Sequence, residues 1–436
     1  MWGGKTASKI SVSTMALAQS SSPASRIGVL TVDKWPVLSI EIARASAIIA
    51  CVGLLYSPTV ASIGLIVSYA AFLTSGQAVV RFKPVLARPI TYWGVAFLGI
   101  VLLAMLYASA PWQERWVDFY KWRTVLWFFV LLALFDDHRW KERLLLACIV
   151  GTAIAVVGSF AASAGWITFR RGPAELLRSS STQGMAFAVS ALICLWMWSE
   201  SWAQGQVSWI WALLGGVYIS NVVFVTPGLS GYAVLGLGAG VLLMWRTPPR
   251  RWIVVALGLS LLGMTAFSVS HRMQDRVDRS IHEWTHANDL KGHTSLGTRR
   301  VFYGNALEIV QKHWLLGVGT GGFRSAYAEH VTGKYEVSDW RAEPTGDPHN
   351  QYLSILVQQG AIGLAVFLLW IIAIVRDQDS VSRYRKLALA ILCGWCVTSL
   401  FSSHFRTFTE GHLVATFLGA LLAVSSSEGE NQDGIQ

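Results

Sequence analysis

The chain has 436 residues, of which 53% are hydrophobic and only 14% charged, with a mean hydropathy of +0.46. A soluble domain carries about a quarter charged residues, so this composition excludes an ordinary soluble fold and points to repeated passage through a bilayer. The net charge of +10 then reads as basic loops facing anionic lipid rather than as a nucleic-acid surface.

Residues 1–39 are polar and rich in serine, with Lys5, Lys9, Arg26 and Lys34. No apolar run of roughly 7–15 residues precedes a cleavage site there. The stretch reads as a disordered cytoplasmic leader, with Met15 as an alternative start, and not as a secretory signal. Twelve apolar spans of about 15–25 residues follow. They lie near Ile40–Leu55, Pro58–Ser75, Pro89–Ser109, Phe119–Phe135, Leu144–Ala164, Thr182–Trp198, Val207–Val225, Leu229–Trp245, Trp252–Ser270, Gln351–Val375, Leu387–Phe401 and Gly411–Val424. Tyr92, Trp93, Trp112, Trp116, Trp122, Trp245 and Trp252 gather at span ends, as interfacial aromatics do. The expected organisation is an all-α polytopic membrane protein. Residues 1–39 form the leader, 40–270 spans one to nine, 271–350 a long helical outer loop, 351–424 spans ten to twelve and 425–436 a cytoplasmic tail. All five cysteines fall in spans, and Cys393-x-x-Cys396 reads as helix core, since no second Cys pair accompanies it.

Orientation follows from lysine and arginine in the short loops. With the N-terminus cytoplasmic, the inner loops contain Arg81, Lys83, Arg88, Arg139, Lys141, Arg143, Arg246, Arg250, Arg251, Arg376, Arg383, Arg385 and Lys386. The outer short loops contain only Arg115, Lys121, Arg123, Arg170, Arg171, Arg178 and Arg406. This bias puts residues 271–350 outside. Basic residues on the disfavoured side either sit beside Glu114, Asp118 and Glu175 or hold a local anionic ligand; both readings stay open.

The outer segment contains seven of the ten histidines: His271, His282, His286, His293, His313, His330 and His349. Thr298 is a candidate cap for a helix running to about His313, with Val301, Phe302, Leu307, Ile309 and Val310 as its apolar face. His282-Glu283-Trp284-Thr285-His286 fits the H-E-x-x-H zinc pattern, with Asp289, His293 or a distant residue as the third ligand, but it lacks a buried apolar helix. Gly317-x-Gly319-x-x-Gly322 fits the dinucleotide pattern by letters and fails by context, since no strand precedes it. In Asp347-Pro348-His349-Asn350, the proline favours a first helical turn and Asp347 is a good cap. His349 is then expected at the positive end of the tenth span, held neutral and usable as a general base. The alternative is an interfacial histidine hydrogen-bonded in a cap.

Two linked blocks carry a resemblance. Arg299-x-x-x-Tyr303-x-x-Ala306-Leu307, running on through His313-Trp314-Leu315-Leu316-Gly317-Val318-Gly319-x-Gly321-x-Phe323, is similar to the Arg, aromatic and "HPLLGVGPGNF" block of the O-antigen ligase and polymerase superfamily, with Trp314 where proline is common. His349-Asn350, nine residues, then Gly360-Ala361-Ile362-Gly363 resembles the His-Asn/Ser, nine residues, Gly-x-x-Gly signature of the ligases. The detailed likeness covers about residues 299–364. One departure is the turn Thr226-Pro227-Gly228-Leu229-Ser230-Gly231, where related proteins often place an arginine.

The resemblance implies a glycosyltransferase of the bacterial inner membrane with a periplasmic active site. It implies an undecaprenyl-pyrophosphate glycan as donor and a sugar hydroxyl of lipid A-core as acceptor. His349 would be the base. Arg299, Arg276 and the Arg170, Arg171, Arg178 loop would hold the pyrophosphate, and Asp347, Asn350, Gly360 and Gly363 would support them. No cofactor, metal or nucleic acid is expected. An O-antigen polymerase, a protein O-oligosaccharyltransferase, a lipid-linked glycan transporter and a zinc membrane protease remain as alternatives.

Overall fold

The computed structural model describes residues 34–168, 175–226, 228–287 and 292–425. Nearly all of the expected leader and tail, together with Arg170, Arg171 and Asp289, lie outside the described residues. Apart from one isolated bridge between Thr332 and Tyr335, the regular structure among the described residues is helical.

Each of the twelve apolar stretches coincides with a helix. These are α1 (Trp35–Tyr56), α2 (Pro58–Thr74), α4 (Pro89–Leu103), α6 (Arg123–Leu134), α7 (His138–Ser163), α8 (Ser180–Ala203), α9 (Trp209–Phe224), α10 (Leu229–Arg246), α11 (Trp252–Val269), α15 (Gln351–Arg376), α16 (Ser382–Thr398) and α17 (Phe408–Leu422). Between them lie α3 (Ala78–Leu86), α5 (Trp112–Tyr120), α12 (His271–Thr285), α13 (Ser295–His313) and α14 (Phe323–Val331). Helix starts use local chemistry. Asp137, Ser179 and Ser270 accept the Arg139, Thr182 and Met273 amides at 2.8, 3.1 and 3.3 Å, while Pro58 and Pro89 open helices where no amide donor is needed.

By length and apolarity, six helices among the described residues are able to cross a bilayer, and a seventh if α2 and α3, bent by 99°, count as one span. The protein is therefore polytopic. Helices α4, α9 and α17 are apolar but shorter, at 15, 16 and 15 residues. The fourth stretch is broken, because α5 ends at Tyr120 and α6 begins at Arg123.

Contacts between the connections gather them into two groups. One group is tied by ion pairs. Arg88 holds Asp377 at 2.6 Å and the Leu422 carbonyl at 3.0 Å, Lys141 reaches the Ala423 carbonyl, and Arg81 pairs with Asp136 at 2.7 Å. The other group comprises the connections 104–122, 225–228, 270–350 and 399–407, and its links are described below with the site. Between them a buried core joins α1, α4, α6, α8, α15, α16 and α17. Phe97 lies edge-on to Trp122 at 4.6 Å, and Phe405 edge-on to Phe367 at 5.5 Å, forming an aromatic floor under the second group.

Helix α13 ends at His313 as expected but starts earlier, with Thr294 rather than Thr298 as the capping position. Val301, Phe302 and Ile309 are buried, whereas Leu307 is exposed. Phe302, Ala306 and Ile309 pack with Phe323, Tyr327 and Val331 of α14 and with Leu353 and Val357 of α15. The 271–350 segment thus has its own small apolar core, seated on the start of α15.

Helix α15 is broken at Gly360, where φ is 67° and ψ is −169°. The glycine-rich run fills the break. Val318 and Gly319 donate to the Val357 and Gln358 carbonyls at 2.8 and 2.9 Å, and Ala361 donates to the Trp314 carbonyl at 2.8 Å. Gly321 donates to Gln358 Oε1 at 2.8 Å, and Thr320 donates to the Ala104 carbonyl at 3.0 Å. A helix interrupted inside a membrane protein keeps its backbone groups satisfied in this way. Gly317, Gly319 and Gly321 have φ of 73°, 85° and 84°. A side chain on Gly319 would lie 2.6 Å from Ala108 Cα, and one on Gly321 2.7 Å from Arg115 Cα. The run is a clamp between α15 and the 104–115 connection, in keeping with the failed dinucleotide pattern.

Candidate active site

The turn before α15 differs from the expected first helical turn. Asp347 is not the cap. Its Oδ1 accepts the His349 amide at 2.9 Å, closing a tight turn over Pro348. Asn350 is the cap, accepting the Leu353 amide at 3.0 Å. His349 therefore lies outside the helix, with φ of 57°, the only positive value at a non-glycine residue among the described residues. The geometry follows from sequence: proline restricts both itself and the residue before it, and Asp347 and Asn350 each prefer to bond to amides two or three residues on. Such a backbone costs about 1–3 kcal/mol and persists only when the surroundings over-determine it.

The surroundings are polar and buried. Ser403 donates to Asp347 Oδ1 at 2.8 Å. Arg406, almost fully buried, pairs with Asp118 at 2.8 Å and approaches Asp347 at 3.6 Å. Tyr303 sets its hydroxyl 3.0 Å from the His349 carbonyl and 2.7 Å from that of Leu400. The Phe302 ring lies parallel to the imidazole at 6.1 Å. Gln351 accepts the Phe405 amide at 3.1 Å, locking the 399–407 connection to α15.

These contacts set the charges. Burial alone would raise the Asp347 carboxyl, but Arg406 and His349 overcome it and hold the group below its usual range. Burial pushes the His349 imidazole below its ordinary value. Asp347 pulls the other way, and Arg299 and Arg406 add to the depression. A neutral imidazole near neutral pH is the form that accepts a proton.

A cavity of about 320 Å³, which no residue of the turn lines, is lined by Arg276, Arg299, His404 and Glu410, the serines at the start of α8, and Gly228, Leu229 and Ser230. Arg299 is aimed by carbonyls: its Nε donates to Phe401 at 2.8 Å, and a terminal nitrogen donates to Ser295 at 2.6 Å. Arg276 Nε is buried without a partner among the described residues, and neither arginine makes a salt bridge there. Burial disfavours the charge on Arg299, and Arg276 adds repulsion. An entering anion would relieve both, and guanidinium forks match phosphate oxygens two at a time. Thr182 donates to Glu410 at 2.6 Å, keeping that carboxylate engaged.

Of the expected site residues, the structure gathers His349, Asp347, Asn350, Arg299 and Arg276. Arg178 is near but turned away, donating to Thr409 at 2.7 Å. Gly360 and Gly363 lie deeper, at the break of α15. The H-E-x-x-H residues do not converge. His282 and His286 stack at 4.5 Å, while Glu283 is engaged elsewhere, accepting the Leu296 amide at 2.8 Å as a cap for α13.

Sequence reasoning missed Arg406, Asp118 and Ser403 as parts of the site. Arg406 entered only as one of seven outer basic residues. A denser signal was present: Ser402-Ser403-His404-Phe405-Arg406-Thr407 is a polar run between two apolar spans, where short connections need no such chemistry.

Residues 214–368 match the family described as O-antigen ligase. A 213-residue stretch is 22% identical to an O-antigen ligase of Salmonella typhimurium (strain LT2), covering 48% of this chain and 48% of that protein. The chain thus spans about half the length of the curated relative it matches. The family match runs from α9 through the broken part of α15 and takes in Arg276, Arg299 and His349, so the likeness to O-antigen ligases covers the stretch that contains these three residues.

Proposed function

We propose that this protein is an O-antigen ligase that moves a glycan from undecaprenyl pyrophosphate to a sugar hydroxyl of lipid A-core, without a metal or cofactor. The observation that carries the reading is one His turn, with an imidazole pKa depressed by burial and in part by Arg299, together with a cavity that holds Arg299 and Arg276, neither of them in a salt bridge among the described residues. His349 takes the acceptor proton as the hydroxyl oxygen bonds to the anomeric carbon. The bond from that carbon to the pyrophosphate oxygen breaks on the opposite face, so the centre inverts. Arg276 and Arg299 meet the charge growing on the lipid pyrophosphate. The turn at Gly228–Ser230, which lacks an arginine, faces the same cavity, and Arg276 of α12 serves in its place.

The full reading has twelve membrane passes, both termini inside, and residues 271–350 in the periplasm of a bacterial inner membrane. Its support is the loop charge bias and the grouping of the connections into two sets. A cysteine placed at the fully exposed Val337 should react with an impermeant maleimide added outside intact cells. Labelling only after the inner membrane is opened would reverse the orientation.

Reconstitution with purified lipid-linked glycan tests the activity. Lipid A-core should be glycosylated in preference to a second lipid-linked glycan; the reverse preference would make the protein a polymerase. Chelator treatment should leave turnover intact. Arg276→Ala and Arg299→Ala should each weaken donor binding about 10–100-fold, since a hydrogen bond to a charged group is worth about 1.5–3 kcal/mol. Arg→Lys should rescue only part of the loss, because an ammonium lacks the fork. Unchanged donor affinity in both alanine variants would remove the arginines from the site.

A further inference from the structure

A second polar cavity, of about 360 Å³, lies in the same group of connections and is lined by residues of α5, the glycine-rich run and Gly346. Its volume is in the range of small-molecule sites. None of the expected site residues lines it. Gly346 opens the turn that carries His349, so the turn has this cavity against its first residue and the arginine cavity against the charges around its histidine.

This cavity and the turn are joined by a chain of ion pairs. Asp118 lines the second cavity and pairs with Arg406 at 2.8 Å. Arg406 reaches the Gly346 carbonyl at 3.4 Å and Asp347 at 3.6 Å. The wall is stiff. Arg115 donates to the Ala110 and Met105 carbonyls at 2.7 and 2.8 Å, fixing the entry to α5. Gln358, also in the lining, holds the Gly321 amide at 2.8 Å.

The lining decides the ligand class. Lys121 pairs with Asp118 at 2.5 Å, so the charges left to the space are Glu114 and Arg324, one of each sign, a lining suited neither to a phosphate nor to a metal ion. The side chains of Gln113, Glu114 and Arg324 make no hydrogen bond among the described residues, so the lining offers both acceptors and donors. Val117, more than half exposed, adds an apolar patch. A hydroxyl both donates and accepts, and a sugar ring also presents C–H faces to apolar groups.

We propose that this cavity binds the saccharide of the acceptor, so that donor and acceptor enter from opposite flanks of the His349 turn. The inference rests on the glycosyl-transfer reading above. It names Gln113, Glu114 and Arg324 as residues that set acceptor affinity without touching the donor.

The test is direct binding first. Full-length protein in detergent is titrated, without donor, with delipidated core oligosaccharide and, in a separate arm, with the delipidated repeat unit of the O-antigen glycan. Saturable binding of one of them by the wild type, weakened about tenfold in Glu114→Gln and in Arg324→Gln, is the expected result. Which saccharide binds tells ligase from polymerase. Arg324 is exposed and Glu114 partly so, and matched melting curves would show intact folding. In the reconstituted reaction the same variants should raise the acceptor KM about tenfold and leave donor affinity and the pH profile unchanged. Absence of binding by the wild type, equal binding by the variants, or a parallel loss of donor affinity would overturn the assignment. Wild-type binding without any transfer would instead count against the glycosyl-transfer reading and leave the saccharide site standing.

Discussion

His349→Asn is expected to lower turnover about 10²–10⁴-fold, the usual contribution of a positioned base. Asparagine is the informative replacement because it tolerates a positive φ, so the backbone at 57° keeps its shape while the imidazole is lost. Donor binding should persist, since Arg276 and Arg299 are untouched. The pH profile gives a second readout. The base works when neutral, so the acid limb of kcat/KM marks the imidazole pKa. Burial lowers that pKa, and the limb should lie below the ordinary histidine value of about 6.5. Asp347 raises the pKa and Arg299 lowers it. Asp347→Asn should therefore move the limb further down, and Arg299→Gln should move it up. Near wild-type turnover in His349→Asn at neutral pH would send the search for the base to His404, whose ring lies by the arginine cavity.

Gly360→Ala is expected to destabilise the protein by about 2–6 kcal/mol, combining a backbone open only to glycine with overpacking. The new Cβ would fall on the Leu315 carbonyl, in the seam where the glycine-rich run replaces the broken helical bonds. Relief would require the 314–319 segment to withdraw and leave the Val357 and Gln358 carbonyls unpaired. Thermal unfolding in detergent measures the loss. Gly304→Ala is the control: it lies in α13, its Cβ would meet nothing within 4 Å, and alanine favours the helix by up to about 1 kcal/mol. Equal stability of the two variants would mean that the break at Gly360 is not locked by the run.

What was legible in the sequence was whatever a window of neighbouring residues determines. Apolar runs must be helical in lipid because every backbone group has to bond within its own segment, so the twelve stretches found their helices. Asp-Pro-His-Asn announced a helix start next to a histidine, and the arginines of α12 and α13 stood out as charges with no apolar purpose. The same local rules misplaced the cap by three residues, since Asp347 and Asn350 are both good caps and only packing chose between them. Tertiary structure alone decided the rest. Asp118 and Arg406 are 288 positions apart, and nothing in either segment announces the other. The glycine spacing read as a failed nucleotide loop until the break in α15 supplied the backbone groups it satisfies. Hydropathy and propensity are nearest-neighbour properties. A buried ion pair, a clamped helix break and a depressed imidazole pKa depend on which distant segments the fold brings within a few ångströms.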